Sequence, residues 1–225
     1  MCIRDRPIIC LKGVTFDSAF SVKPMITDTT DTASRAILSV FITEYLSSLN
    51  APKMMDLLSH CEYLRLATTL TGGFLKTDSW AINSVYLDRI LSPIGEQFMA
   101  DFFAFLKSLN LSPSLYEEGE ASALGKHLQG GNSAYADIVT AYCGGRCLFE
   151  TQNGFIGLGP RPIQQGDAVA VLDGGKVPCV LRPLDLQGRY AYAFVGEAYV
   201  YDVTCGQVYD MSGKKGVKEE DFVLR

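Results

Sequence analysis

Seven cysteines and two histidines hold most of the side-chain chemistry available in this 225-residue chain. The closest thiols are Cys143 and Cys147, in Cys143-Gly144-Gly145-Arg146-Cys147. A zinc knuckle sets its thiolates about two residues apart and faces a second Cys/His pair. This spacing is wider and no second pair faces it, so the sequence specifies no metal. A cysteine nucleophile with His60 or His127 as base would make a small Cys hydrolase, since triad members need not be neighbours in sequence. Yet His127 falls in a polar loop and His60 on a helix, neither in a recognisable active-site turn. Gly154-Phe155-Ile156-Gly157-Leu158-Gly159 contains the Gly-x-Gly of a dinucleotide loop. Pro160 and Pro162 follow it, however, and a turn into a strand replaces the helix whose N-terminus would hold a pyrophosphate. These glycines read instead as points where a sheet bends sharply. Asp167, Asp173, Asp185 and Glu197 have no spacing that pairs carboxylates for acid–base work or boxes a cation. The expectation is therefore no catalytic, cofactor-binding or metal-binding residue, and no cofactor.

The elements that would position these residues divide the chain by texture. Apolar residues Ile37, Leu38, Phe41, Ile42, Tyr45, Leu46 and Leu49 recur at helical spacing over residues 33–49. A second helix opens at Pro52 and ends at Gly72-Gly73. A third spans residues 79–91, and a fourth follows Ser92-Pro93. The face of the fourth, Phe98, Met99, Phe102, Phe103, Phe105, Leu106 and Leu109, is so aromatic that it must be buried. After a polar loop with one weak helix at 121–128, residues 133–143 resume a helix that Gly144-Gly145 terminates. Residues 7–32 mix short apolar runs with the cluster Thr27-Asp28-Thr29-Thr30-Asp31-Thr32, which is loop-like and offers several helix N-cap candidates.

Beyond Arg146 the pattern becomes strand and turn. Asn153-Gly154 between the runs 147–151 and 155–159 is a strong hairpin signal. Further strands are expected at 167–172, 177–181, 189–195, 197–203, 207–210 and 221–224, with a bulge at Gly196. Short strands about ten residues apart suggest a small barrel or strongly bent sheet. The fold class is thus α+β: a helical region over 7–143, then a small antiparallel β-barrel-like module over 144–225. Residues 1–6, Met1-Cys2-Ile3-Arg4-Asp5-Arg6, read as non-native adapter-like sequence and are set aside.

Composition narrows the function classes. Twenty Lys+Arg against 25 Asp+Glu give a net charge of −5, and no basic block offers a footprint for nucleic acid. The most apolar helix, Phe98 to Leu109, is broken by Asp101, Lys107 and Ser108, far short of the roughly 18 apolar residues a membrane span needs. An odd number of scattered cysteines and the absence of a secretory segment point to reduced thiols in the cytoplasm.

The C-terminal strands also carry a recognisable text. It runs Gly145-Arg146, Leu148-Phe149, Thr151, then Gly154-Phe155-Ile156-Gly157-Leu158-Gly159-Pro160, then Gly166-Asp167, Val169 and Val171-Leu172. It continues Gly174-Gly175, Val177-Pro178, Val180-Leu181-Arg182-Pro183 and Val195-Gly196-Glu197-Ala198-Tyr199-Val200. This order resembles the C-terminal region of fungal heterokaryon-incompatibility (HET) domain proteins. Upstream, Thr68-Thr69-Leu70-Thr71 resembles the Arg-Thr-Leu segment of their helical middle. Cys179 stands where an aromatic is usual, and Tyr201-Asp202 where His-Gly is usual. The resemblance implies a region downstream of an N-terminal HET domain, which triggers programmed cell death when incompatible cells fuse, and which these residues do not include. It supplies no catalytic residue. What it implies is a non-catalytic regulatory or interaction region whose partner is a protein or its own HET domain. A stand-alone intracellular protein-binding module is the alternative, and a small Cys hydrolase the third reading.

Overall fold

The computed structural model describes residues 9–48, 57–74, 93–115, 131–175, 177–185, 190–201, 203–204 and 218–225. The chain divides into two units, residues 23–148 and residues 1–22 with 149–225. It is an α+β protein with a mostly antiparallel sheet.

The first of these units holds α1 (Thr32–Ser48), α2 (Leu57–Leu70), α3 (Pro93–Ser108) and α4 (Asn132–Cys143). At the start of α1 the Ser34 N–H donates to Asp31 Oδ2 over 2.9 Å, an acidic cap on amides that have no partner within the helix. That bond lowers the Asp31 carboxyl below its ordinary range. The thread of Thr27 to Thr32 is ordered by further bonds of this kind: the Thr27 N–H donates to Ser34 Oγ, and Thr29 Oγ1 donates to the Ala136 carbonyl of α4. α2 closes as expected at Gly72-Gly73, both at positive φ, with the Gly73 N–H reaching back to the Thr68 carbonyl at 2.8 Å. The aromatic face of α3 is buried. Its partner is Tyr135 of α4, whose ring lies 5.5, 5.5 and 5.2 Å from Phe98, Phe102 and Phe105. The Tyr135 hydroxyl donates to the Ala67 carbonyl of α2 at 2.7 Å. One side chain thus ties three helices, and burial pushes its phenol well above the ordinary value.

The other unit is built round a strand that the sequence pattern does not reveal. β1 (Ile9–Val22) changes partners along its length: Ile9 to Thr15 pair with β8 (Lys218–Leu224), Gly13 to Ser18 with β4 (Ala168–Leu172), and Ala19 to Val22 with β2 (Arg146–Thr151). β4 pairs with β5 (Cys179–Asp185), β5 with β6 (Tyr190–Glu197), and β6 meets β8 in parallel at Tyr192 and Leu224. The pairing β1-β4-β5-β6-β8 therefore returns on itself as a five-strand ring. β2, β3 (Ile156–Pro160) and β7 (Tyr199–Val200) extend the sheet beyond β1. Phe222 packs with Ala168, Ala170, Cys179 and Leu181, flanked by Leu172, Tyr192 and Leu224. One large ring among small side chains suits the narrow interior of a small barrel.

Residues 9–22 thus belong to the sheet rather than to the helical region in which 7–143 places them. Their burial runs as two doublets and a single residue (Gly13-Val14; Phe16-Asp17; Ala19) because the register shifts between Thr15 and Asp17 and again between Ala19 and Ser21. Each shift breaks the period-two pattern by which a strand is recognised. β5 also runs past Leu181 through Pro183. Its pairing with β4 stops at Leu181, so a residue without an N–H costs no bond to β4 beyond that point. The strand expected at 197–203 is divided. β6 ends at Glu197, β7 has two residues, and Val203 and Thr204 turn back onto the Val200 carbonyl. The hairpin at Asn153-Gly154 is present, with Gly154 at φ +82° and the Thr151 N–H donating to the Phe155 carbonyl at 2.8 Å. The bulge expected at Gly196 also occurs, Val195 being the extra residue between the pairs Val180–Gly196 and Leu181–Phe194. The helices expected at 79–91 and 121–128 and the strand at 207–210 lie outside the described residues.

Two stability measurements test this packing. A Cβ on Gly13 would lie 2.4 Å from the Val171 carbonyl oxygen and 2.9 Å from Leu172 Cα, both backbone. Gly13→Ala is expected to destabilise by about 2 kcal/mol or more through overpacking, whereas Gly174→Ala, at φ +81° in open space, costs only about 1 kcal/mol; thermal melting of the two variants would separate them. Thr69 Oγ1 is buried without a hydrogen-bond partner, so Thr69→Val is expected to hold or raise the unfolding free energy, by up to about 1 kcal/mol. A loss of stability in denaturant titration would contradict this.

Candidate functional site

Two segments of the resemblance text, Gly166-Asp167 and Val180-Leu181-Arg182, meet in space. Arg182 Nε donates to Asp167 Oδ1 and Nη2 to Asp167 Oδ2, each at 2.9 Å. The same Nη2 donates to the Pro162 carbonyl at 2.6 Å, and the Gln164 N–H donates to Asp167 Oδ2 at 2.8 Å. The Asp167 side chain is 3% exposed and that of Arg182 31%. The guanidinium fork thus caps a buried carboxylate and holds the turn from Pro160 to Gly166 against β5. Hydrogen bonding to Asp167 raises the Arg182 guanidinium further above its ordinary value.

The glycines of the same text are spent on packing. A Cβ at Gly157 would lie 2.5 Å from Phe149 Cζ and 2.8 Å from the Tyr199 carbonyl oxygen. At Gly159 it would lie 2.9 Å from Ile163 Cδ1. Phe149, fully buried, needs both positions bare. Gly154 to Gly159 therefore passes from a turn into β3, with no helix following it, as the sequence reading expects.

Two of the described thiols are similarly committed. Cys143 and Cys179 are buried; their Sγ atoms donate to the Leu70 carbonyl at 3.1 Å and the Ala170 carbonyl at 3.4 Å. Burial pushes both up to about 12, Cys179 further aided by the charge of Glu197. At neutral pH such groups are thiols, neither nucleophiles nor ready metal ligands. Cys147 is also buried and Cys10 exposed; none of the four is in a disulfide. No group of three or more His, Cys, Asp or Glu side chains among the described residues could hold a metal ion. His127, Cys2 and Cys205, and the side chains of His60 and Cys61, lie outside the described residues. Asp173, Asp185 and Glu197 stand at strand ends or turns of the sheet.

One polar cleft was not legible in the sequence. Lys12, Gly13 and Val14 of β1, Asp173, and Glu219, Glu220 and Asp221 of β8 line a space of about 350 Å³. The Thr15 hydroxyl donates to Glu220 Oε1, and burial together with the Glu220 charge raises the Tyr192 phenol. The carboxylates join Lys12 and Asp173 only through the pairing of β1 with β8 and β4. Local spacing carries no signal for it.

Residues 114–224 match the Het-6 beta-barrel domain family. The span takes in α4 and all strands from β2 to β8, and leaves β1 outside it. Heterokaryon incompatibility protein 6, OR allele, from Neurospora crassa is 33% identical over 112 residues, 48% of this chain. The chain spans 16% of that relative's length. No solved structure matches it.

Two outcomes are expected of the described site residues. Native protein treated with iodoacetamide at about pH 8 is expected to label at Cys10 and to spare Cys143, Cys147 and Cys179 until denatured; rapid native labelling of a buried thiol, read by peptide mass spectrometry, would restore the Cys hydrolase reading. Arg182→Ala leaves the Asp167 carboxylate buried without its main partner and is expected to cost about 2–3 kcal/mol. Arg182→Lys should recover less than half of that, since one ammonium cannot span both carboxylate oxygens and the Pro162 carbonyl. Chemical denaturation of the two variants measures the difference.

Proposed function

From the match of residues 114–224 to the Het-6 beta-barrel domain family, we propose that this chain is a regulatory and interaction region of a HET-type protein. It acts in fungal vegetative incompatibility, in the cytoplasm and without catalysis of its own. In this reading a HET domain carries the programmed-cell-death signal, and the chain restrains or directs that domain by binding it or a further protein partner.

One observation supports the non-catalytic role above the others: the polar and glycine residues of the family text serve the fold. Asp167 and Arg182 answer each other, and Gly157 and Gly159 make room for Phe149. The buried thiols point the same way. With a net charge of −5, the chain offers nucleic acid no general electrostatic attraction, and no helix among the described residues is long and apolar enough to cross a membrane. The second reading, a protein-binding module in its own right, is favoured by Ile9, Phe20 and Phe194, which are 54%, 54% and 53% exposed on their strands.

Co-expression tests the proposal. A tagged copy of the chain is expressed in a filamentous fungus with a HET domain from the same source, and with an unrelated HET domain as control. The expected result is retention of the cognate HET domain on the tag and a change in the death response it elicits. A HET domain neither retained nor altered, with the chain shown to be folded and expressed, would overturn the regulatory role.

A further inference from the structure

We draw no further inference here: the strongest candidate, the apolar patch of Ile9 and Phe194 on the strands that flank Tyr192 and Leu224 where β6 meets β8, carries none because nothing in the structure shows what covers it.

Discussion

The sheet depends on a single strand that has to satisfy three others. β1 gives its first residues to β8, its middle to β4 and its last to β2, so the five-strand ring and the β2-β3-β7 extension share one backbone. A strand can serve two sheets in this way only if it bends, and the two register shifts after Thr15 and Ala19 supply the bend. It must also allow β4 very close, which is why position 13 has no side chain. The family match begins at residue 114 and does not include this strand. The closing member of the ring thus comes from outside the span by which the barrel is recognised.

Around that strand, polar chemistry is used to fix turns. Asp167 is almost wholly buried, and such a carboxylate is tolerated only when its oxygens are matched. Two donors of Arg182 and the amide of Gln164 match them. The helical unit follows the same rule at smaller cost: Asp31 caps α1, and Tyr135 places its one polar atom on the Ala67 carbonyl while three phenylalanine rings surround the remainder. In both units the charged and hydroxyl groups hold geometry, and the stabilising bulk is apolar area removed from water.

How much of this was legible in sequence follows from how local each signal is. α1, the Gly72-Gly73 stop, the aromatic burial of α3, α4 with its Gly144-Gly145 end and the Asn153-Gly154 hairpin are all written within a few residues of themselves, and the structure holds each of them. The Gly-x-Gly element could be set aside on local grounds too, because its flanking prolines already precluded a helix. β1 was illegible because its bulges scramble alternation and its partners lie far along the chain; Thr15 and Glu220 are 205 positions apart. The Asp167–Arg182 pair was present only as two fragments of a family text, with nothing local to say that they touch. The cleft of Lys12 with Glu219 to Asp221 shares that non-local origin.

The pairing of β1 with β8 also sets the order in which the molecule can be made. During synthesis the residues of α1 to α4 can find their neighbours while the chain is still growing, since helical contacts are local. β1 precedes every other described element in the chain yet cannot complete the ring until residues 218–224 have followed it. Until β2, β4 and β8 have followed, its edges stay open and Val14 and Phe16, buried in the finished fold, lack their cover, a state in which strands pair with the wrong chain. Loss of β8 alone would leave Ile9 to Thr15 without that partner and the ring open at the same place.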